Sequence, residues 1–353
     1  MQRTGPALRG VTGSLFLALG ATAIALVVAE ALVRLFPSAP EQRERSPLPA
    51  AYRELPELRS VAALGRPDAH GIFKGVLHRT NSRGARGPEY SDRPAPGTFR
   101  IVVVGDSYTM GQGVEEQDSY AAVAESLLNE RGDGRRYEVI NGGVAGFAIR
   151  HSMRRLERLD RPYEPHLLVY GFTPNDILGD DYREASPADQ DAARALIRRF
   201  EDAPVALLRM VWPRLVLAKS AWRPIPGTYE HVLEQNYFEN PAAWLQITDG
   251  LDQLAKLAKS RGVCGLVFVH TRINQLWFHP FTRIYRRVAE AARERGLFAE
   301  VSLPLFRGQD ATKLRLSALD THPNAEGHRL HGEALALGVR ALPPHCLSPG
   351  HFE

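Results

Sequence analysis

Short apolar runs alternate with longer segments of helical periodicity from residue 101 towards the C-terminus. The runs predict strands at Ile101–Val104, Tyr137–Asn141, His166–Tyr170, Gly265–Val269 and Leu297–Ser302. The periodic segments predict helices at about 120–128, 149–159, 242–260, 281–295 and 325–341. Ile101–Val104 is an uninterrupted β-branched run, which is typical of a strand buried on both faces of a parallel sheet. Because helix-length segments separate the strands, the pattern predicts right-handed crossovers and an α/β fold with a central, mostly parallel five-stranded sheet.

The longest apolar run lies at the N-terminus. Gly10 to Ala29 carries no charged residue, and a helix of about 20 residues spans about 30 Å, the hydrocarbon thickness of a bilayer. We expect residues 1–36 to form a transmembrane anchor that leaves the remainder on the extracytoplasmic, periplasmic side. A cleaved signal peptide and a secreted protein are the alternative, because Ala29-Glu30-Ala31 resembles a small-x-small cleavage site. A buried core helix is the third interpretation.

Three further regions differ from the strand–helix alternation. Residues 37–60, rich in Pro, Glu and Arg, are interpreted as a linker to one folded domain at 61–345, with a tail at 346–353. An irregular lead-in is expected before the first strand, including the turn-rich Thr80–Gly87. An insertion at about 178–240 is too long for one crossover, and it contains a predicted helix over Pro187–Phe200 and an apolar patch over Val205–Leu217. We interpret the patch as a lid or a core-covering helix, with contact to a membrane surface as the alternative.

Composition excludes some classes of partner. The net charge of +4 comes from arginines that are spread along the chain beside acidic residues, so we expect no nucleic-acid partner. His328 and His331 lie on a predicted helix without further ligands nearby, so we expect no metal site. Of the two cysteines, Cys264 is expected to be a small buried apolar residue. A disulfide to Cys346 is an open alternative, but we do not expect one.

A serine hydroxyl follows the first predicted strand. That strand ends at Gly105-Asp106-Ser107, which places the hydroxyl just beyond the carboxyl end of a central strand, where open α/β sheets bind ligands. Near the C-terminus, Asp320 and His322 project to the same side of an extended segment, a conformation that the following Pro323 favours. A carboxylate that orients an imidazole towards a hydroxyl is the arrangement of a nucleophilic triad.

Two other turns follow predicted strands at the same sheet edge. They are Asn141-Gly-Gly-Val-Ala-Gly146 and Gly171-Phe-Thr-Pro-Asn175-Asp176. The N–H of Gly146 and the amide of Asn175 would be donors towards a developing oxyanion. The alternatives are a plain turn glycine and a helix-capping asparagine.

In combination, these motifs resemble the SGNH, or GDSL-type, hydrolase superfamily, in the family's order and over residues 100–330. The resemblance implies a flavodoxin-like three-layer α/β/α fold for the catalytic domain. It implies Ser107 as the nucleophile, His322 as the base and Asp320 as the residue that orients the imidazole. Gly146, Asn175 and the N–H of Ser107 would form the oxyanion hole. No metal or organic cofactor is implied.

The chain departs from the family pattern at two positions. One residue, not two, separates Asp320 from His322, which resembles a variant found in some polysaccharide O-acetyltransferases and leaves Asp310 as an alternative orienting residue. Tyr108 replaces the common Leu, and we expect this to affect packing. Asp106 and Asp176 are expected to hold their loops through hydrogen bonds.

The leading hypothesis is therefore a membrane-anchored serine esterase that acts on a small acyl ester or an acylated glycan. The second is an O-acyltransferase, in which a glycan hydroxyl replaces water. The third is a non-catalytic binding module that keeps the fold. Arg272, Asn274, Trp277 and Phe278 follow the fourth predicted strand, and they either line the pocket or belong to a packed loop.

Overall fold

A parallel sheet forms the centre of the described chain. The structure is a computed structural model that describes residues 21–31, 64–130, 133–178, 188, 195, 226–277, 279–317 and 320–347. Its strands are β1 (His70–Phe73), β2 (Val76–Arg79), β3 (Thr98–Gly105), β4 (Arg136–Asn141), β5 (Leu167–Phe172), β6 (Cys264–Val269) and β7 (Phe298–Val301). The longer helices after residue 64 are α1 (Tyr120–Glu130), α2 (Ile149–Tyr163), α3 (Tyr229–Phe238), α4 (Pro241–Arg261), α5 (Thr282–Arg293) and α6 (Ala325–Arg340).

The order of the strands creates a crevice at the end of β3. The five strands pair in the order β4-β3-β5-β6-β7, and every pair is parallel. The predicted α/β fold with a parallel five-stranded sheet is confirmed. After β3 the chain adds β4 on one side and then crosses over to add β5 on the other. Such a reversal opens a crevice beyond the carboxyl end of the shared strand, where α/β proteins bind ligands.

Helices lie on both faces of the sheet. Apolar side chains of α2, α3, α4 and α5 pack on one face, and those of α1 and α6 pack on the other. Residues Ile101–Val104 of β3 are completely inaccessible to solvent. Successive side chains of a strand point to opposite faces, so Val102 and Val104 join one apolar cluster while Ile101 and Val103 join the other. The hydrophobic run of β3 thus packs against the helices on both faces of the sheet.

The lead-in before β3 is more regular than expected. β1 and β2 form an antiparallel hairpin in which His70 pairs with Arg79. Its two turn residues, Lys74 and Gly75, both have positive φ, 52° and 82°, which matches a two-residue hairpin turn. The expectation of an irregular segment was wrong here, because four-residue strands give too little alternation to be recognised.

The N-terminal run is described in part. Residues 21–31 are helical, and no helix within the described residues is both long and apolar enough to cross a membrane. Most of the predicted anchor, the linker and the C-terminal tail lie outside the described residues. The boundaries at 36, 60 and 345 therefore stay predictions.

The insertion at 178–240 is also described in part. The predicted helix over Pro187–Phe200, apart from Ala188 and Ala195, and the apolar patch over Val205–Leu217 lie outside the described residues. The end of the insertion forms α3, which the sequence pattern did not predict. Thr228 begins this helix by accepting a hydrogen bond from the backbone N–H of His231, as N-cap residues do.

A disulfide joins Cys264 to Cys346, so the expectation of no disulfide was wrong. Cys264 is the first residue of β6, and Cys346 lies in the helical turn Pro344–Leu347 that follows α6. Their Cα atoms are 5.4 Å apart across a sequence separation of 82 residues. The chain returns along α6 to the amino-terminal edge of the sheet, and only this tertiary path brings the two thiols together. Closing so long a loop disfavours the unfolded state, typically by about 2–4 kcal/mol.

Candidate active site

Ser107 begins a single helical turn, Ser107–Met110, directly beyond β3. The side chain of Asp106 caps this turn by accepting a hydrogen bond from the N–H of Tyr108 at 2.9 Å. Gly105 leaves room for the turn, since a Cβ atom there would clash with the hydroxyl of Thr109 in the turn and would lie 2.5 Å from the carbonyl oxygen of Gly171 in β5. Ser107 is 8% exposed, so it is nearly buried at the edge of the sheet where the strand order opens the crevice.

The structure brings together the serine, the histidine and the aspartate that the motifs predict. The Oγ of Ser107 lies 2.8 Å from Nε2 of His322, and Nδ1 of His322 lies 2.6 Å from Oδ1 of Asp320. The hydrogen bond from His322 is the main cause that lowers the pKa of Asp320 to about 2. The carboxylate is therefore ionised at neutral pH and favours the Nδ1–H tautomer of the imidazole, which leaves Nε2 to accept the serine proton.

The short spacing between Asp320 and His322 is explained by the backbone. Oδ1 of Asp320 also accepts a hydrogen bond from the backbone N–H of His322 at 3.1 Å, an Asx-turn geometry. The carboxylate turns back towards its own backbone and so reaches the imidazole ring, although only one residue separates Asp320 from His322. The alternative orienting residue, Asp310, is bonded to the N–H and hydroxyl of Thr312 at 3.0 and 2.7 Å. Asp310 therefore caps a neighbouring turn and makes no described contact with His322.

A buried carboxylate connects the turn of Ser107 to the turn of Asn175. Asp106 is completely buried, and its Oδ2 accepts hydrogen bonds from the hydroxyl of Thr173 at 2.7 Å and from the amide of Asn175 at 2.9 Å. The Asn175 amide has two N–H donors, so one of them holds this contact and the other is left for a ligand. The expectation that Asp106 holds its loop through hydrogen bonds agrees with these contacts.

Asp176 holds the same turn from the other side. Its Oδ2 accepts hydrogen bonds from the hydroxyl of Tyr170 at 2.6 Å and from the N–H of Thr173 at 2.9 Å. Burial, followed by the nearby charge of Asp106, raises the pKa of Asp176 well above its usual range. Both acidic side chains thus serve to fix the loop that carries Asn175.

Gly146 lies in the turn after β4, at the same sheet edge. The N–H of Phe147 closes this turn on the carbonyl of Val144 at 3.2 Å, and Gly146 has a φ of +79°, a conformation that favours glycine. The N–H of Val144 is bonded to the carbonyl of Gly105 at 3.0 Å, so the loop is fastened to the end of β3. The N–H of Gly146 has no acceptor within the described part of the chain.

The sequence of residues 103–330 matches the model of the GDSL-like lipase/acylhydrolase family. This chain belongs to that family. A search of curated proteins finds no match.

Solved structures similar to this family member have low sequence identity. TesA is 16% identical, over 68% of this chain and 98% of its own, with a TM-score of 0.40. The acetyl xylan esterase AlAXEase is 12% identical, over 69% of this chain and 100% of its own, with a TM-score of 0.41. Axe2, an acetylxylan esterase from Geobacillus stearothermophilus, is 14% identical, over 69% of this chain and 95% of its own, with a TM-score of 0.41.

Two residues beside the relay of this acylhydrolase-family chain were missed by sequence reasoning. The amide nitrogen of Gln112 lies 3.2 Å from Nδ1 and 3.4 Å from Nε2 of His322. Arg86 is buried and donates hydrogen bonds to the carbonyls of Met110, Gly111 and Val114 at 2.7, 2.8 and 2.7 Å. Arg86 therefore holds the Gly-Gln-Gly loop that presents Gln112, although it comes from the lead-in. The glycines on both sides of Gln112 were the only local signal.

Tyr108 holds the segment that carries His322. Its ring centroid is 5.4 Å from that of His322, and its hydroxyl donates a hydrogen bond to the carbonyl of Thr321 at 3.1 Å. Arg272 adds a bond to the hydroxyl of Thr321 at 3.2 Å, and its guanidinium lies 4.8 Å from the ring centroid of Tyr229. Arg272 is thus part of the frame around the histidine.

The other residues of the Arg272 loop are placed differently. Asn274 contacts Glu230 at 3.5 Å, Trp277 is 79% exposed, and Phe278 lies outside the described residues. Of the two interpretations of this segment, the described contacts of Asn274 favour a packed loop.

Three buried histidines lie beneath Tyr108. His270, His328 and His331 are inaccessible to solvent, and the ring of His270 is 5.6 Å from Tyr108 and 5.0 Å from His331. Burial lowers the pKa of His270 to about 4 and those of His328 and His331 well below their usual range. These rings therefore act as neutral packing groups under the site.

Ligand atoms that could hold a metal converge elsewhere. Among the described residues, the side chains of Cys264, His345 and Cys346 bring their ligand atoms within 4.8 Å of one another. This group lies at the edge of the sheet opposite Ser107, and the disulfide occupies both of its sulfur atoms. The candidate site at Ser107 is built from a hydroxyl, an imidazole and a carboxylate.

We predict that acid destabilises the protein through the buried histidines. In the unfolded chain a histidine has a pKa of about 6.5, so between about pH 6.5 and pH 4 the unfolded state binds more protons than the folded state. The free energy of unfolding then falls as the pH falls, by about 1.4 kcal/mol per pH unit for each histidine protonated only on unfolding. Urea unfolding from pH 7 to pH 4.5 measures this slope. His331→Leu should make the slope shallower, and a free energy that is constant across this range would contradict the prediction.

We predict that Tyr108→Phe lowers kcat and leaves KM unchanged. The variant loses one hydrogen bond, worth about 1 kcal/mol, that holds Thr321 and thereby the ring of His322. We expect kcat for p-nitrophenyl acetate to fall by about fivefold, since about 1.4 kcal/mol corresponds to tenfold in rate. A rise in KM with an unchanged kcat would show that Tyr108 contacts the substrate instead.

Proposed function

We propose that this protein is a serine ester hydrolase in which Ser107 forms an acyl-enzyme. The observation that supports the proposal is the chain of two short hydrogen bonds, 2.8 Å from Ser107 to His322 and 2.6 Å from His322 to Asp320. Both distances are within the range that proton transfer requires. The substrate class is a small acyl ester or an acylated glycan.

Acylation begins when Oγ of Ser107 attacks the ester carbonyl carbon. Nε2 of His322 takes the serine proton as the new C–O bond forms, and the charge of Asp320 stabilises the resulting imidazolium. The oxyanion accepts hydrogen bonds from the backbone N–H groups of Ser107 and Gly146 and from the second N–H of Asn175. The bond to the leaving oxygen then breaks, and His322 gives its proton to the departing alcohol.

Deacylation repeats these steps with water. His322 takes a proton from the water as it attacks the acyl carbon, and then returns that proton to Ser107 as the carboxylic acid leaves. The second candidate function is O-acyl transfer, in which a glycan hydroxyl replaces the water. The short Asp320-Thr321-His322 spacing supports this second candidate, because it resembles the variant found in some polysaccharide O-acetyltransferases. Product analysis with and without a polysaccharide acceptor separates free acid from acylated acceptor.

The first test is hydrolysis of p-nitrophenyl acetate by Ser107→Ala. Removing the nucleophile should lower kcat by at least about 10³-fold, as it does in serine hydrolases with this relay. Ser126→Ala is the control, because Ser126 is exposed on α1 and lies outside the site. Unchanged turnover in Ser107→Ala would overturn the mechanism.

We also predict a large difference between Asp320→Asn and Asp310→Asn. The first variant removes the charge that faces the imidazolium and frees the imidazole to adopt the wrong tautomer, so kcat should fall by about 10²–10⁴-fold. The second variant affects only an exposed turn cap, and its kcat should stay within about twofold. Equal losses in the two variants would mean that Asp320 does not orient His322.

We propose further that the chain is exported and stays anchored by its N-terminal segment. Two observations support this: the uncharged run from Gly10 to Ala29, and the disulfide between Cys264 and Cys346, a bond that persists mainly in oxidising compartments. Fractionation of cells should place the full-length protein in a membrane fraction that resists carbonate washing. A mature protein that begins near Leu32 would show cleavage and exclude the anchor, and free thiols in the isolated protein would argue against export.

A further inference from the structure

A second concave site lies next to the loop that carries Gly146. It is a cleft of about 490 Å³ between the first described residues of the folded domain and α2. Five arginines line it, and no aspartate or glutamate among the described residues does so. They are Arg66, Arg83, Arg154, Arg155 and Arg158. Such a concentration of one sign of charge in a concavity raises the local concentration of anions.

Two of these arginines are engaged by the protein itself. Arg155 is buried and donates hydrogen bonds to the carbonyls of Gly142 at 3.3 Å, Gly65 at 2.9 Å and Gly84. Arg83 forms an ion pair with Asp92. These contacts satisfy the two guanidinium groups within the protein itself.

The other three, Arg66, Arg154 and Arg158, are exposed. No hydrogen bond or ion pair of their side chains occurs among the described residues, whereas Arg261, Arg283 and Arg295 each pair with a carboxylate. Arg154 and Arg158 are one helical turn apart on α2, where like charges destabilise the helix. Within the described residues these three cations have no ionic partner, and a bound anion would relieve the repulsion between them.

The cleft is adjacent to the catalytic machinery. One of its walls is Phe147, which follows Gly146 directly in the chain, and consecutive Cα atoms are about 3.8 Å apart. Gly65 lines another side of the cleft. Arg155 donates hydrogen bonds both to the carbonyl of Gly65 and to the carbonyl of Gly142, which lies in the same loop as Gly146. A ligand in the cleft would therefore contact Phe147, the residue that follows Gly146 in the loop that we assign to the oxyanion hole.

We propose that this cleft binds an anionic group of the molecule that carries the ester, so that the preferred substrate is an acylated acidic glycan. The proposal rests on the proposed esterase function of Ser107. Arginine forks recognise carboxylate and phosphate in the same bidentate geometry, so either group of such a glycan fits. A concave site with an aromatic wall, one residue from the oxyanion loop, suits a segment of the substrate better than the flat surface of an anionic membrane.

The test compares two acetylated oligosaccharides of equal length with the full-length protein. Acetylated oligogalacturonate carries carboxylates, and acetylated xylo-oligosaccharide is neutral. We expect kcat/KM for acetate release to be at least tenfold higher for the galacturonate, through a lower KM that rises with salt and with added inorganic phosphate. Arg154→Ala/Arg158→Ala should lose this tenfold advantage while its turnover of xylo-oligosaccharide and p-nitrophenyl acetate is unchanged. Arg161→Ala/Arg286→Ala, which removes two exposed arginines outside the cleft, should retain the advantage.

Two further readings separate folding and binding from activity. Because the substituted arginines repel each other, the Arg154→Ala/Arg158→Ala variant should melt at a temperature no lower than the wild type. Calorimetry with deacetylated oligogalacturonate should show binding to the wild type and a loss of at least tenfold in affinity in this variant.

Several outcomes would overturn the proposal. One is equal KM values of the wild type for the charged and neutral substrates. Another is an unaltered preference for the galacturonate in Arg154→Ala/Arg158→Ala. A third is that this double variant loses binding to phosphatidylglycerol vesicles while its KM for the galacturonate is unchanged. Failure of the wild type to hydrolyse p-nitrophenyl acetate would instead reject the esterase function on which the proposal rests.

Discussion

The buried carboxylate of Asp106 is the contact on which the site depends. It receives the N–H of Tyr108 from the helical turn that begins at Ser107, and the hydroxyl of Thr173 and the amide of Asn175 from the turn after β5. A charged acceptor inside the protein is stable only when hydrogen bonds replace its lost hydration. The same three donors that satisfy this requirement also fix the turn of Ser107 relative to Asn175, the proposed oxyanion donor.

Buried arginines complete the frame around these turns. Arg86 binds three carbonyls of the loop after Ser107, and Arg155 binds the carbonyl of Gly142 in the loop that carries Gly146 and that of Gly65 in the lead-in. Irregular loops leave backbone carbonyls without partners, and one guanidinium can satisfy several of them because it has five N–H donors. The lead-in before β3 is thus part of the active-site scaffold, since it supplies Arg86 as well as Gly65.

The parallel sheet and the three residues of the proposed relay could be predicted from sequence because their motifs are local. A buried parallel strand needs a continuous apolar run such as Ile101–Val104, and the tight turn at its end is marked by glycine and a capping aspartate. The features that the sequence did not predict depend on residues that are distant in the chain and are brought together by the tertiary fold. The disulfide joins Cys264 to Cys346 across 82 residues. Arg86 binds backbone carbonyls of a loop 24 to 28 residues away, and no motif in the sequence links the two segments. Gln112 was missed because an amide between two glycines is equally typical of a surface turn.

In the proposed mechanism, the relay through His322 to Asp320 makes the hydroxyl of Ser107 nucleophilic. The most direct measurement is covalent labelling with a fluorophosphonate probe, followed by mass spectrometry of the digested protein. We expect one label per chain on the peptide that contains Ser107, no label in Ser107→Ala, and labelling slowed by at least about 10²-fold in His322→Ala, since an activated serine needs its base. Labelling at another residue, or at Ser107 with the same rate after loss of His322, would contradict it.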